Sequence, residues 1–88
     1  MSLPNHTKVY LNHFDYTEAD FIPCECCQSK AVDIHHINGR GKDKDVIKNL
    51  AALCRKHHTM CHDEKISKGE MQYIHNCFLL GQRKVFII

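Results

Sequence analysis

Long apolar runs are missing from this 88-residue chain. No stretch approaches the ~18 consecutive apolar residues of a membrane span, so no membrane partner is expected. The opening "MSLPNHTKVYLNHF" has neither the basic start nor the apolar stretch of a secretory signal. Internal repeats and low-complexity tracts are absent. A charge excess is lacking too: the net charge is +2 with histidines neutral, so the average charge names no partner. Six cysteines in 88 residues fall just under the density of a disulfide scaffold. These absences together predict a reduced, cytoplasmic protein whose cysteines serve as metal ligands.

What is present is a concentration of cysteine and histidine, six and eight residues respectively. A single domain over 1–88 can bury only a thin core, and chains of this size often need a staple. Arg40, Lys42, Lys44, Lys48, Arg55 and Lys56 crowd around the histidines. They form a local basic face that suits phosphate, or else an ordinary solvated surface.

Residues 8–14, "KVYLNHF", alternate loosely and predict a strand, leading into a turn that ends by residue 22. "DYTEADFIP" predicts a short helical turn capped by Thr17 and closed by Pro23. "AVDIHHI" is rich in β-branched residues and predicts a strand; Asn38–Gly39 and Gly41 predict a loop. "NLAALC" suits the returning strand of a hairpin, and "RKHHTMCHDEKI" a helix. Ser67 and Glu70 form a capping box that opens a C-terminal helix over 68–80. Met71, Ile74, Cys77 and Phe78 share its apolar face, and Gly81 stops it. The apolar tail over 83–88 must pair as a sheet edge with residues 8–14 or make a homodimer contact.

Cys24-x2-Cys27 and Cys54-x2-His57 are two knuckles able to supply four tetrahedral ligands to a structural Zn²⁺. Cys26 rivals Cys24 or Cys27, and Cys61 rivals His57. A set of buried free thiols is the competing reading, and Cys77 suits it best. On a helix, His58 and His62 lie four apart on one face and reach one ion. His57 and His58 point about 100° apart, so each serves a different site. His35 and His36 are strand neighbours and face opposite ways, which suits separate roles better than joint chelation. An isolated pair of this kind more often has one ring bonded in the core and the other exposed.

The order CxxC, "DIHHI", "NL", "LCRKHHTMCH" resembles the HNH endonuclease family, particularly its small phage-type and restriction-like members. The resemblance runs from Cys24 to about His62. It implies an α+β fold: a small zinc-stapled ββα-metal (His-Me finger) domain, here with an additional C-terminal helix. Many members read "LCxxCH" where this chain has "LCRKHH", so His57 replaces a family cysteine. His36 matches the family's general base and Asn49 the asparagine that braces the loop carrying it. His35, His58 and His62 match ligands of a catalytic divalent ion. The resemblance also implies a bacterial or phage-encoded, intracellular protein.

Such a site hydrolyses DNA phosphodiester bonds. Neutral His36 accepts a proton from water near pH 7, and the ion stabilises charge on phosphorus. Three imidazoles favour Mn²⁺, Ni²⁺, Co²⁺ or Zn²⁺, while relatives with a carboxylate ligand commonly use Mg²⁺. Asp33 shares a strand face with His35 and either supports the ligands or faces solvent. Arg40 and Lys42 are placed to meet DNA backbone phosphates without reading bases. The alternative is a noncatalytic zinc-binding module that binds nucleic acid or a protein partner through the same frame.

Overall fold

The computed structural model describes residues 3–82 and 85–86. It is a small α+β structure with three helices and a two-stranded antiparallel sheet. In chain order come α1 (Asn5–Phe14), β1 (Asp33–His36), a 3₁₀ turn (Ile47–Asn49), β2 (Leu50–Leu53), α2 (Arg55–His62) and α3 (Lys68–Leu79). No helix among the described residues is long and apolar enough to cross a membrane.

The expected strand over 8–14 is instead the body of α1. Tyr10 and Leu11 are buried, while Thr7 and Phe14 are half-buried, which is a helical stripe. Seven residues were too short a window to separate loose alternation from that stripe. Asp15 ends the helix in the left-handed conformation (φ 58°). Its N–H and that of Tyr16 return to the carbonyls of Asn12 and Leu11, a Schellman-type closure made without glycine.

The turn expected after it is also not helical. Thr17 donates its N–H (2.7 Å) and its hydroxyl (3.2 Å) to Asp20 Oδ2, so the aspartate holds the turn rather than Thr17 capping a helix. Pro23 pairs with Lys30 across an isolated bridge and frames the cysteine turn between them.

β1 and β2 form the predicted hairpin, with Asp33 opposite Leu53 and His36 opposite Leu50. All four residues of β2 are buried, and the two-residue strand period sorts the pair into two faces. Leu50 and Ala52 pack with Ile34 against Tyr10 of α1. Ala51 and Leu53 pack on the other side with Cys24, Cys26, Ile37, Ile66, Met71 and Ile74. A thin sheet is thus covered on both sides, and each large side chain fully buried contributes about 1.5–3 kcal/mol.

α3 opens with the expected capping box: Ser67 Oγ accepts from Glu70 N–H, and Glu70 Oε1 accepts from Ser67 N–H. Its predicted apolar face is buried, together with His75. The tail's pairing with residues 8–14 as a sheet edge does not occur, because those residues are helical. Phe86 N–H instead donates to the Cys26 carbonyl (2.8 Å), and its ring packs on the core. Positions 83, 84, 87 and 88 of the tail lie outside the described residues.

Candidate metal centre and histidine cleft

The first candidate site is the clasp between the cysteine turn and the start of α2. Cys24, Cys27, Cys54 and His57 bring their donor atoms within 4.8 Å of one another, close enough to hold a metal such as zinc. Cys27 and Cys54 sulfurs lie 3.8 Å apart, and Cys24 Sγ lies 3.7 Å from His57 Nδ1. Two thiolates about 2.3 Å from a tetrahedral zinc are separated by about 3.8 Å, so the donor set fits that ion. The turn forms because Gln28 takes the left-handed conformation (φ 66°) and its N–H returns to the Cys24 carbonyl. α2 starts directly after Cys54, which turns His57 back toward the sulfurs.

Cys26 and Cys61 are not members of this group. The Cys26 thiol hydrogen-bonds Cys24 and holds the Cys24 thiol down at about 4, against the opposing effect of burial. Cys26 therefore supports a ligand rather than replacing one. Burial raises Cys61 to about 11, as suits a thiol packed against the core.

A second cluster lies on the sheet face that meets α2. His35, His58 and His62 place one nitrogen each within 4.8 Å of the others. His58 Nε2 and His62 Nε2 face each other at 3.1 Å, near the edge expected for two imidazoles on one ion. Asp33 takes the supporting option: its Oδ2 lies 2.9 Å from His58 Nδ1 and 3.0 Å from Arg55 Nη1. That contact leaves His58 Nε2 to face the cluster. Burial, then the neighbouring His58 and His62, lower His35 to about 4, so the ring is neutral and ligand-competent at pH 7.

His36 points to the other face of β1, toward α1. Its Nε2 lies 2.8 Å from Asp45 Oδ1, and its ring lies 4.6 Å from that of His6, tilted by 59°. Asp45 is held in place by Asn5, whose Nδ2 donates to Oδ2 (3.0 Å). The contacts with His36 and then Asn5 keep the Asp45 carboxyl below its ordinary value. An ionised Asp45 only accepts, so His36 carries its proton on Nε2. His36 Nδ1 is buried and without a hydrogen-bond partner among the described residues.

Asn49 ends the 3₁₀ turn and ties down the loop after β1. Its Oδ1 accepts from Asn38 N–H (2.7 Å), and its Nδ2 donates to the carbonyls of Gly39 (3.1 Å) and Lys44 (2.9 Å). Arg40, on that loop, is exposed. With His35, His36, Gly39, His58 and His62 it lines a cleft of about 270 Å³. Lys42 is exposed on the same loop. Gly39 (φ 89°) and Gly41 (φ 136°) adopt backbone that suits glycine, and no atom lies within 4 Å of where a Cβ would stand. The cleft's loop wall is therefore open at Gly39, which lines it.

His6 and Asp45 have no counterpart among the residues expected from the sequence. His6 lies on α1 ahead of the 8–14 stretch, outside any predicted element, and Asp45 looks like one more charge in "GRGKDKD". Glu25 and His75 were equally silent, although both are buried. Comparison with family models, with curated proteins and with solved structures returned no match, so the geometry alone carries the functional argument.

Proposed function

We propose that this chain is a metal-dependent endonuclease of the HNH type, cutting DNA by phosphodiester hydrolysis, with β1, β2 and α2 as its ββα-metal frame. One observation carries the reading: three histidines converge within 4.8 Å in a cleft that His36, paired through Nε2 with Asp45, also lines. An exposed arginine lines that cleft too.

His35, His58 and His62 would hold a divalent ion. When bound, that ion supplies Lewis-acid stabilisation of the charge that develops on the phosphoryl oxygens. Arg40 pairs with a backbone phosphate and sets the strand against the cleft, aided by the open wall at Gly39. His36 accepts the proton of the attacking water as its oxygen bonds to phosphorus and the bond to the leaving 3′-oxygen breaks. Asp45 fixes the tautomer that leaves the accepting nitrogen free and stabilises the imidazolium that forms. Asn49 keeps the loop carrying Arg40 at a fixed distance from the base. The Cys24–Cys27–Cys54–His57 clasp anchors both ends of the hairpin.

The test is plasmid nicking across Mn²⁺, Ni²⁺, Co²⁺, Zn²⁺ and Mg²⁺. His36→Ala should lose about 10²–10⁴-fold in rate, the usual worth of a general base. Fold, zinc content and DNA affinity should stay near those of the parent chain. Nicking by His36→Ala at the parent rate sinks the assignment. Salt-dependent DNA binding with no nicking under any metal leaves a zinc-bearing binding module instead.

A further inference from the structure

The α1 face of β1 carries a third constellation that the hydrolytic reading uses only in part. His6 from α1, His36 from β1 and Asp45 from the loop each offer a donor atom, and these lie within 4.8 Å of one another. Three separate segments thus converge on one point, two imidazoles and one carboxylate. That donor set suits a borderline transition ion such as Zn²⁺, Co²⁺ or Ni²⁺ better than Mg²⁺ or Ca²⁺. The separation of His36 Nε2 from Asp45 Oδ1 is 2.8 Å. Two ligands about 2.0–2.1 Å from a tetrahedral ion lie about 3.3–3.4 Å apart, so an ion replaces the shared proton once the two groups part by about half an ångström.

Two further features separate this cluster from an incidental grouping. Asp45 is already supported by Asn5 through its second oxygen, the arrangement that orients a ligating carboxylate. The rings of His6 and His36 lie 4.6 Å apart between centroids, so the packing of α1 on β1 already brings the two imidazoles together. His6 and Arg40 also line a groove of about 300 Å³, which gives an ion a route from solvent.

We propose that His6, His36 and Asp45 form a further divalent-metal site, for Zn²⁺ or Co²⁺, and that filling it withdraws His36 from proton chemistry. The second half rests on the nuclease reading, and the first half does not. An ion at this site binds His36 Nε2 and the Asp45 carboxylate together, so the ring's proton passes to Nδ1 and no nitrogen is left to accept one. The same metal is then an activator when it occupies the cluster on α2 and an inhibitor when it occupies this one. His6 belongs only to the inhibitory set, which makes it the residue that separates the two effects.

The experiment titrates Co²⁺ or Zn²⁺ into protein already holding its structural zinc, following bound ions by calorimetry and by the visible spectrum of Co²⁺. The parent chain should take up two further ions. His6→Gln, which keeps helix propensity and size, and Asp45→Asn should each weaken one binding event by more than about 10-fold and spare the other. His58→Ala should remove the opposite event. A parent chain that takes up only one further ion overturns the proposal, as does His6→Gln that still takes up two with parental affinity. In parallel, cleavage by the parent should rise and then fall with metal concentration, and cleavage by His6→Gln should level off instead. A fall that persists unchanged in His6→Gln overturns the inhibitory half. If no protein cleaves under any metal, the nuclease reading fails while the ion count still decides the site.

Discussion

Glu25 sits between Cys24 and Cys27 of the candidate metal clasp, yet its side chain points into the core and is 1% exposed. Its Oε2 accepts from Tyr10 Oη (2.7 Å) and Ala52 N–H (3.3 Å), and its Oε1 lies 2.7 Å from His75 Nδ1. His75 Nε2 is in turn 2.6 Å from the Ile47 carbonyl, so α1, β2 and α3 meet on one carboxylate and the 3₁₀ turn joins them through His75. Glu25→Ala leaves those partners buried and unpaired, and should cost about 3–5 kcal/mol. A domain of this length has about 4–13 kcal/mol in total. Urea unfolding of the zinc-loaded protein checks it, and a midpoint within error of the parent contradicts it. Nothing in "CECC" announces this network, because a buried carboxylate is recognisable only by its distant partners. The ligands that were legible share a different property. Cys24 with Cys27, and Cys54 with His57, are local pairs whose spacing is itself the geometry. Asp45 and His6 act through contacts between segments and carry no such spacing.

At the level of elements, local chemistry decided which ones could be read. The capping box of α3, the β-branched run of β1 and the glycine-rich loop each state their structure within a few residues. α1 does not, since its buried stripe is plain only when His6 and Thr7 are counted with Tyr10, Leu11 and Phe14. Missing that helix concealed the partner of His36, so one misread element also hid part of the site. Strand parity was the more useful inference. It sends His35 to α2 and His36 to α1 from adjacent positions, and a one-residue slip of β1 would exchange them. α3 allows a direct measurement: Ser67→Ala removes the acceptor for Glu70 N–H and should cost about 1 kcal/mol. For a domain of this size that lowers Tm by about 4–8 °C, and calorimetry showing no change would contradict it.

In the molecule as a whole, the clasp gathers ligands from either side of the histidine hairpin. Cys24 and Cys27 precede β1, while Cys54 and His57 follow β2. Chelation should therefore do more than release an ion. It should expose both sheet faces and abolish far-UV helix signal together with near-UV structure, as when metal binding and folding are one equilibrium. A fully chelated chain that keeps its native spectrum argues that the apolar core suffices alone. The order of the ligands also has a consequence for the unfolded chain. A metal bridging Cys27 and Cys54 closes a loop of 27 positions that contains the whole hairpin. By the loop-entropy relation used for cross-links, that closure removes about 3–4 kcal/mol of freedom from the denatured ensemble. An unfolded chain that still holds its ion is then a short ring, and β1 and β2 search for each other only within it. Refolding with metal retained should outpace refolding from the open chain, because the ring has already met the entropic cost of bringing the two histidine faces together.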